Sequence, residues 1–123
     1  IAPLNWSDQR ALQFRLWSEA NDVEDEVVRL ILLYQIIELE PKPPSLQRYT
    51  DPTVPPHPLV ECRLLRNLVA HVGPAEHHEV CRYCEFLGLP PVMFDRTNAH
   101  QMRTILDRAP VVKEEAARVL SRY

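Results

Sequence analysis

The sequence predicts an all-α fold, an up-and-down bundle of four to six helices with a proline-rich inter-helix loop. Three observations predict it. Apolar residues recur at helical spacing over most of the 123 residues. Only 2 glycines are present, too few for the tight turns of an all-β fold. The 12 prolines are clustered, so they mark breaks between helices. A chain of this length suits one domain, residues 1–123, and can bury a core without disulfide or metal staples.

Ser7, Asp8 and Gln9 read as a helix start, followed by an apolar face of Ala11, Leu12, Leu16 and Trp17. Asn21-Asp22 interrupts the pattern, and Asp22 with Asp25 three residues on resembles a cap for a second helix, about Val23 to Leu39. Whether the two fuse into one long helix stays open. The second is apolar nearly all round (Val27, Val28, Leu30 to Leu33, Ile36, Ile37), so it belongs at the centre. Residues 41–58 hold seven prolines, and no regular helix or central strand survives that density. This loop has two readings: a flap whose Tyr49 stacks on a nucleic-acid base, or an insertion without a role. A third helix follows from Leu59, stopped by Gly73-Pro74, and a fourth covers about Ala75 to Leu87 before Gly88 and Pro90-Pro91. Thr97 or Asn98 caps a fifth carrying Met102, Ile105 and Leu106. Pro110 opens a sixth with Val111, Val112, Ala116, Val119 and Leu120.

The third helix carries the chemistry. At about 100° per residue, Leu64, Leu65, Leu68, Val69 and Val72 share one arc, while Arg63, Arg66, Asn67, Ala70 and His71 share the opposite one. That polar arc contains no carboxylate and no lysine. A solvated face usually mixes charges, so this one reads as built to hold a phosphate, to meet another helix closely, or both. Arginine forks onto phosphoryl groups, and a histidine near neutral pKa moves protons. Asn67 lies four residues before His71, on the same face, where its amide can orient the imidazole. The bland alternative is solvated arginines paired with acids elsewhere and His71 as a C-terminal helix cap.

Arg66-Asn67-Leu68-Val69-Ala70-His71 is similar to the R-N-x-x-x-H signature of the HEPN superfamily of small helical domains. The resemblance implies a metal-independent endoribonuclease acting on single-stranded or loop RNA, whose 2′-hydroxyl attack leaves a 2′,3′-cyclic phosphate. Its catalytic residues would be Arg66, Asn67 and His71, with Arg63, His77, His78 and Tyr49 contacting RNA or phosphate. In that family two motif helices meet in a dimer. Geometry points the same way, because Arg66 and His71 diverge around one axis and differ in rise by about 7.5 Å. A two-fold pairing through Arg63, Arg66, Asn67, Ala70 and His71 would join each Arg66 to the partner's His71. The family's toxins that pair with a nucleotidyltransferase have Tyr two residues after the His. Gly73 stands here, so that partner is not expected. Toxin or defence roles in the cytoplasm, with a regulatory or antitoxin protein as further partner, fit the resemblance. The reading from a different class is a non-catalytic helical module that binds a nucleotide or a protein within a larger assembly.

Composition narrows the classes. Net charge is −3, so no global field draws the chain to nucleic acid, and RNA contact must be local. Arginines outnumber lysines 12 to 2, and arginine is the better phosphate fork. The 3 cysteines, an odd number, argue for a reducing compartment. No membrane span is expected, because the apolar run near Leu30 to Ile37 is too short to cross a bilayer. His77, Cys81 and Cys84 share an arc of about 60° on the fourth helix, an alternative metal site. The same arc is that helix's apolar face, which favours core cysteines. No cofactor is implied.

Overall fold

The computed structural model describes residues 6–40, 47–70, 78–90, 95 and 97–122. All its regular elements are helices: α1 (Trp6–Asp22), α2 (Glu26–Glu38), α3 (Pro58–Ala70), α4 (His78–Leu87), α5 (Ala99–Arg108) and α6 (Pro110–Ser121). The chain forms an all-α helical bundle. No helix among the described residues is long and apolar enough to cross a membrane.

Local signals explain most of the helix ends. Asp25 caps α2, its carboxylate accepting from the N–H groups of Val27 at 2.8 Å and Val28 at 3.1 Å. This corrects the expected start at Val23: Asp22 closes α1, residues 23–25 form the turn, and the two helices do not fuse. Pro58 takes the first position of α3, where its missing N–H leaves nothing unsatisfied. The His57 imidazole accepts from Leu59 N–H at 3.1 Å just before it. Gly88, at φ +75°, ends α4 with Gly88 N–H bonded to Glu85 O and Leu89 N–H to Cys84 O. That pair of bonds is a Schellman closure, and the left-handed residue in it favours glycine. Asn98 rather than Thr97 caps α5, accepting from Gln101 N–H at 3.0 Å. The Thr97 N–H and hydroxyl both go to Asp95.

α1 and α2 close each other's C-terminal ends. Gln9 and Gln13 of α1 donate to the carbonyls of Leu39 at 2.6 Å and Ile36 at 3.1 Å. Arg29 of α2 donates to the carbonyls of Ala20 at 3.1 Å and Val23 at 2.6 Å. Helix ends leave four carbonyls without intrahelical partners, and here each helix supplies donors for the other.

α2 is central, as its all-round apolar character requires, and packs on α1, α3 and α6. Leu30, Ile36 and Ile37 are sealed from solvent, as are Leu64 and Leu65 of α3. Each such leucine or isoleucine contributes about 1.5–3 kcal/mol on burial. α6 shares the centre, touching α1, α2, α3 and α5 through Val112, Ala116 and Val119. The result is that α3 packs on α2, α6 and α4, with its polar arc left half-buried at the edge of the bundle.

Candidate functional site

Arg63, Arg66, Asn67 and Ala70 step along α3 at i, i+3, i+4 and i+7, which puts them on one face. The first three are half-buried and Ala70 is exposed. His71 and His77 lie outside the described residues. His78 is exposed at the first position of α4.

Arg63 is already occupied. Its Nη1 and Nη2 reach the two carboxylate oxygens of Glu79 on α4, each at 2.9 Å, and Nη2 also donates to Gln47 O at 2.9 Å. Glu79 is buried and takes a further bond from Tyr49 N–H at 3.2 Å. The expectation that Arg63 offers a free fork to RNA therefore needs correcting: the α3 arc lacks a carboxylate, but α4 delivers one. This forked pair ties α3, α4 and the proline-rich loop together.

Arg66 is held differently. Its guanidinium lies over the Tyr34 ring of α2, 5.2 Å from the centroid. Its Nη2 is 3.9 Å from Glu38 Oε1, beyond hydrogen-bond distance. Its Nε, although buried, has no acceptor among the described residues. Tyr34 and Glu38 are four residues apart on α2, so ring and carboxylate share the face turned toward α3. Burial raises the Tyr34 pKa, Glu38 adds to the rise, and Arg66 and Arg63 oppose it. The phenol is therefore neutral across the physiological range, and the local charge is that of two arginines against two glutamates.

Tyr49 is not on a flap. It is 5% exposed, its ring edge-on to Tyr83 and Phe86 at 6.3 and 6.4 Å, and its hydroxyl donates to Val54 O at 2.6 Å. The loop turns this aromatic inward to cover the end of α4, so the ring is not presented at the surface as a flap would present it. That correction has a plain cause: a tyrosine buries more apolar area than a proline-rich segment can otherwise offer to the core.

No family profile, curated protein or solved structure matches this chain.

Cys62 and Cys84 are buried and Cys81 is half-buried, all three as free thiols. Burial, with the neighbouring Cys81, pushes the Cys84 thiol up to about 11. Burial, then Glu115 and Glu61, pushes Cys62 higher still. Among the described residues no group of three His, Cys, Asp or Glu side chains is placed to hold a metal ion, and His77 lies outside them.

Two polar features escaped the sequence reading. Glu61, 2% exposed on α3, takes a forked pair of bonds from Arg108 of α5, both 2.7 Å, and the Tyr83 hydroxyl of α4 at 2.5 Å. A lone acid between Val60 and Cys62 on an apolar stretch was the available signal. A cleft of about 420 Å³ also opens between the α1–α2 turn and the α5–α6 corner, floored by Leu30, Leu33 and Leu106 with Lys113 at its edge. None of the sequence-predicted site residues lines it.

Proposed function

We propose that this chain is a metal-independent, HEPN-type endoribonuclease that cuts single-stranded or loop RNA as a homodimer. The observation that carries this is Arg66, a planar cation with 29% of its side chain exposed, seated on an aromatic ring and 3.9 Å from its nearest carboxylate. Arginine so presented suits a phosphodiester, whose two free oxygens match its fork. The remaining roles come from the R-N-x-x-x-H resemblance. The 2′-oxygen attacks phosphorus, the bond to the 5′-oxygen breaks, and a 2′,3′-cyclic phosphate remains. His71 moves the proton, taking it from the 2′-hydroxyl and giving it to the departing 5′-oxygen, so that the products are the cyclic phosphate and a free 5′-hydroxyl. Arg66 offsets the charge that develops on the phosphorane, and Asn67 orients. Arg63 holds the fold through Glu79 rather than binding the RNA backbone. Ala70 is small and exposed, which lets two α3 helices approach and brings each Arg66 toward the partner's His71.

The test is incubation of the wild type, Arg66→Ala and His71→Ala with mixed RNA in EDTA. Cleavage by the wild type alone supports the assignment. Equal cleavage by all three removes it. One observation favours the alternative of a non-catalytic binding module: both arginines of the arc have partners within the chain. Under that reading no form cuts RNA, and Arg66→Ala lowers stability instead.

A further inference from the structure

The two arginines of the α3 arc are neutralised to very different degrees. Glu79 is 7% exposed, bonds Arg63 through both oxygens at 2.9 Å and also receives Tyr49 N–H. Its departure would strand the Arg63 guanidinium and the buried Tyr49 N–H. Glu38 has a side chain 49% exposed and stands 3.9 Å from Arg66, with no hydrogen bond between them. Water can replace what it loses by leaving.

We infer that Glu38 is a built-in competitor for the anion position at Arg66, and that a phosphodiester binds by displacing it while Arg63 and Glu79 stay paired. This deepens the anion-binding role given to Arg66 above and rests on it. With both pairs closed the cluster is neutral and has little pull on a phosphate. Turning Glu38 into solvent uncovers one positive charge whose plane is already fixed by the Tyr34 ring, 5.2 Å away. The guanidinium needs no further ordering to meet two phosphate oxygens, and the arrangement sets a threshold: only an anion that forks onto Arg66 better than Glu38 does will enter. A monodentate anion gains less, so the pair discriminates in favour of phosphate esters over simple halides.

The test uses the full chain and inorganic phosphate, titrated by calorimetry into the wild type, Glu38→Gln, Arg66→Gln and the double variant. Removing a carboxylate beside the bound anion should tighten phosphate binding about threefold to tenfold in Glu38→Gln. Arg66→Gln should abolish the site, and adding Glu38→Gln to it should restore nothing. Circular dichroism of each variant should match the wild type, because no hydrogen bond joins Arg66 to Glu38 and the Glu38 side chain is half exposed. Unchanged or weaker phosphate binding in Glu38→Gln overturns the inference, as does equal tightening when Arg66 is absent. RNA cleavage is read separately on the same samples. Tightening without any cleavage leaves the Glu38 competitor standing and removes the nuclease. Cleavage by the wild type with no effect of Glu38→Gln on phosphate does the reverse.

Discussion

Arg108→Ala should destabilise the protein more than Glu61→Gln, although both break the same ion pair. Glu61 is 2% exposed, while the Arg108 side chain is 43% exposed. Removing Arg108 leaves a carboxylate inside the bundle with the Tyr83 hydroxyl as its remaining hydrogen-bond donor. Breaking a buried pair in this way costs about 3–5 kcal/mol, and the solvent-facing side of the pair places this case near the lower end. Glu61→Gln keeps the shape and an acceptor for Tyr83, and Arg108 can turn toward water. Its loss is that of charge-assisted bonds becoming ordinary ones, about 1–2 kcal/mol. The expected gap is therefore about 1–2 kcal/mol. Urea unfolding at neutral pH, followed by far-UV circular dichroism and extrapolated linearly, measures it. Equal losses, or a loss below about 1 kcal/mol for Arg108→Ala, would mean that the pair behaves as an exposed one and that the reasoning from burial fails.

Asp25→Ala removes the acceptor for two N–H groups at the start of α2 and should lower stability by about 1 kcal/mol in the same unfolding assay. A change within error would show that α2 needs no cap. Thr53→Val should raise the Asp51 pKa, read by NMR titration, because the Thr53 hydroxyl and N–H hold that carboxyl below its ordinary range. A carboxyl depressed in the fold stabilises above its unfolded pKa and loses that contribution as pH falls through the folded one, so the contribution shrinks in the variant. Asp95, held low in the same manner by Thr97, should not move and serves as the control. Alkylation with iodoacetamide at neutral pH should mark Cys81 first, since burial holds the thiols of Cys84 and Cys62 protonated. Labelling of Cys62 as fast as Cys81 in the native protein, read by peptide mass mapping, would contradict the burial of α3.

Much of the fold was legible because its signals are local. The Gly88 stop, the Pro110 start and the central apolar helix depend on residues within a few positions of one another. The α2 cap was misplaced by a turn, since Asp22 and Asp25 carry equivalent chemistry and only packing of α1 on α2 decides between them. The polar arc of α3 was also legible, but its electrostatics were not. Glu79 reaches Arg63 from another helix, and Glu38 and Tyr34 reach Arg66 from α2, pairings that no spacing within α3 encodes. Tyr49 failed for a related reason: proline density announces an irregular loop without saying which side chain it folds inward.

The mutual closure of α1 and α2 bears on how the molecule breathes. Opening the C-terminal turn of α2 breaks the bonds that Gln9 and Gln13 of α1 make to its carbonyls, and the last turn of α1 depends on Arg29 in the same way. The two ends of this hairpin should therefore fray together, as one cooperative unit in hydrogen exchange, rather than as separate helix tips. Glu38 sits at the end of α2 that Gln9 and Gln13 secure, with Tyr34 one turn before it. The seat of Arg66 is thus only as rigid as a contact made by side chains of the first helix, far from it in sequence. Loosening α1 would blur the geometry of the α3 face without altering a single residue on it.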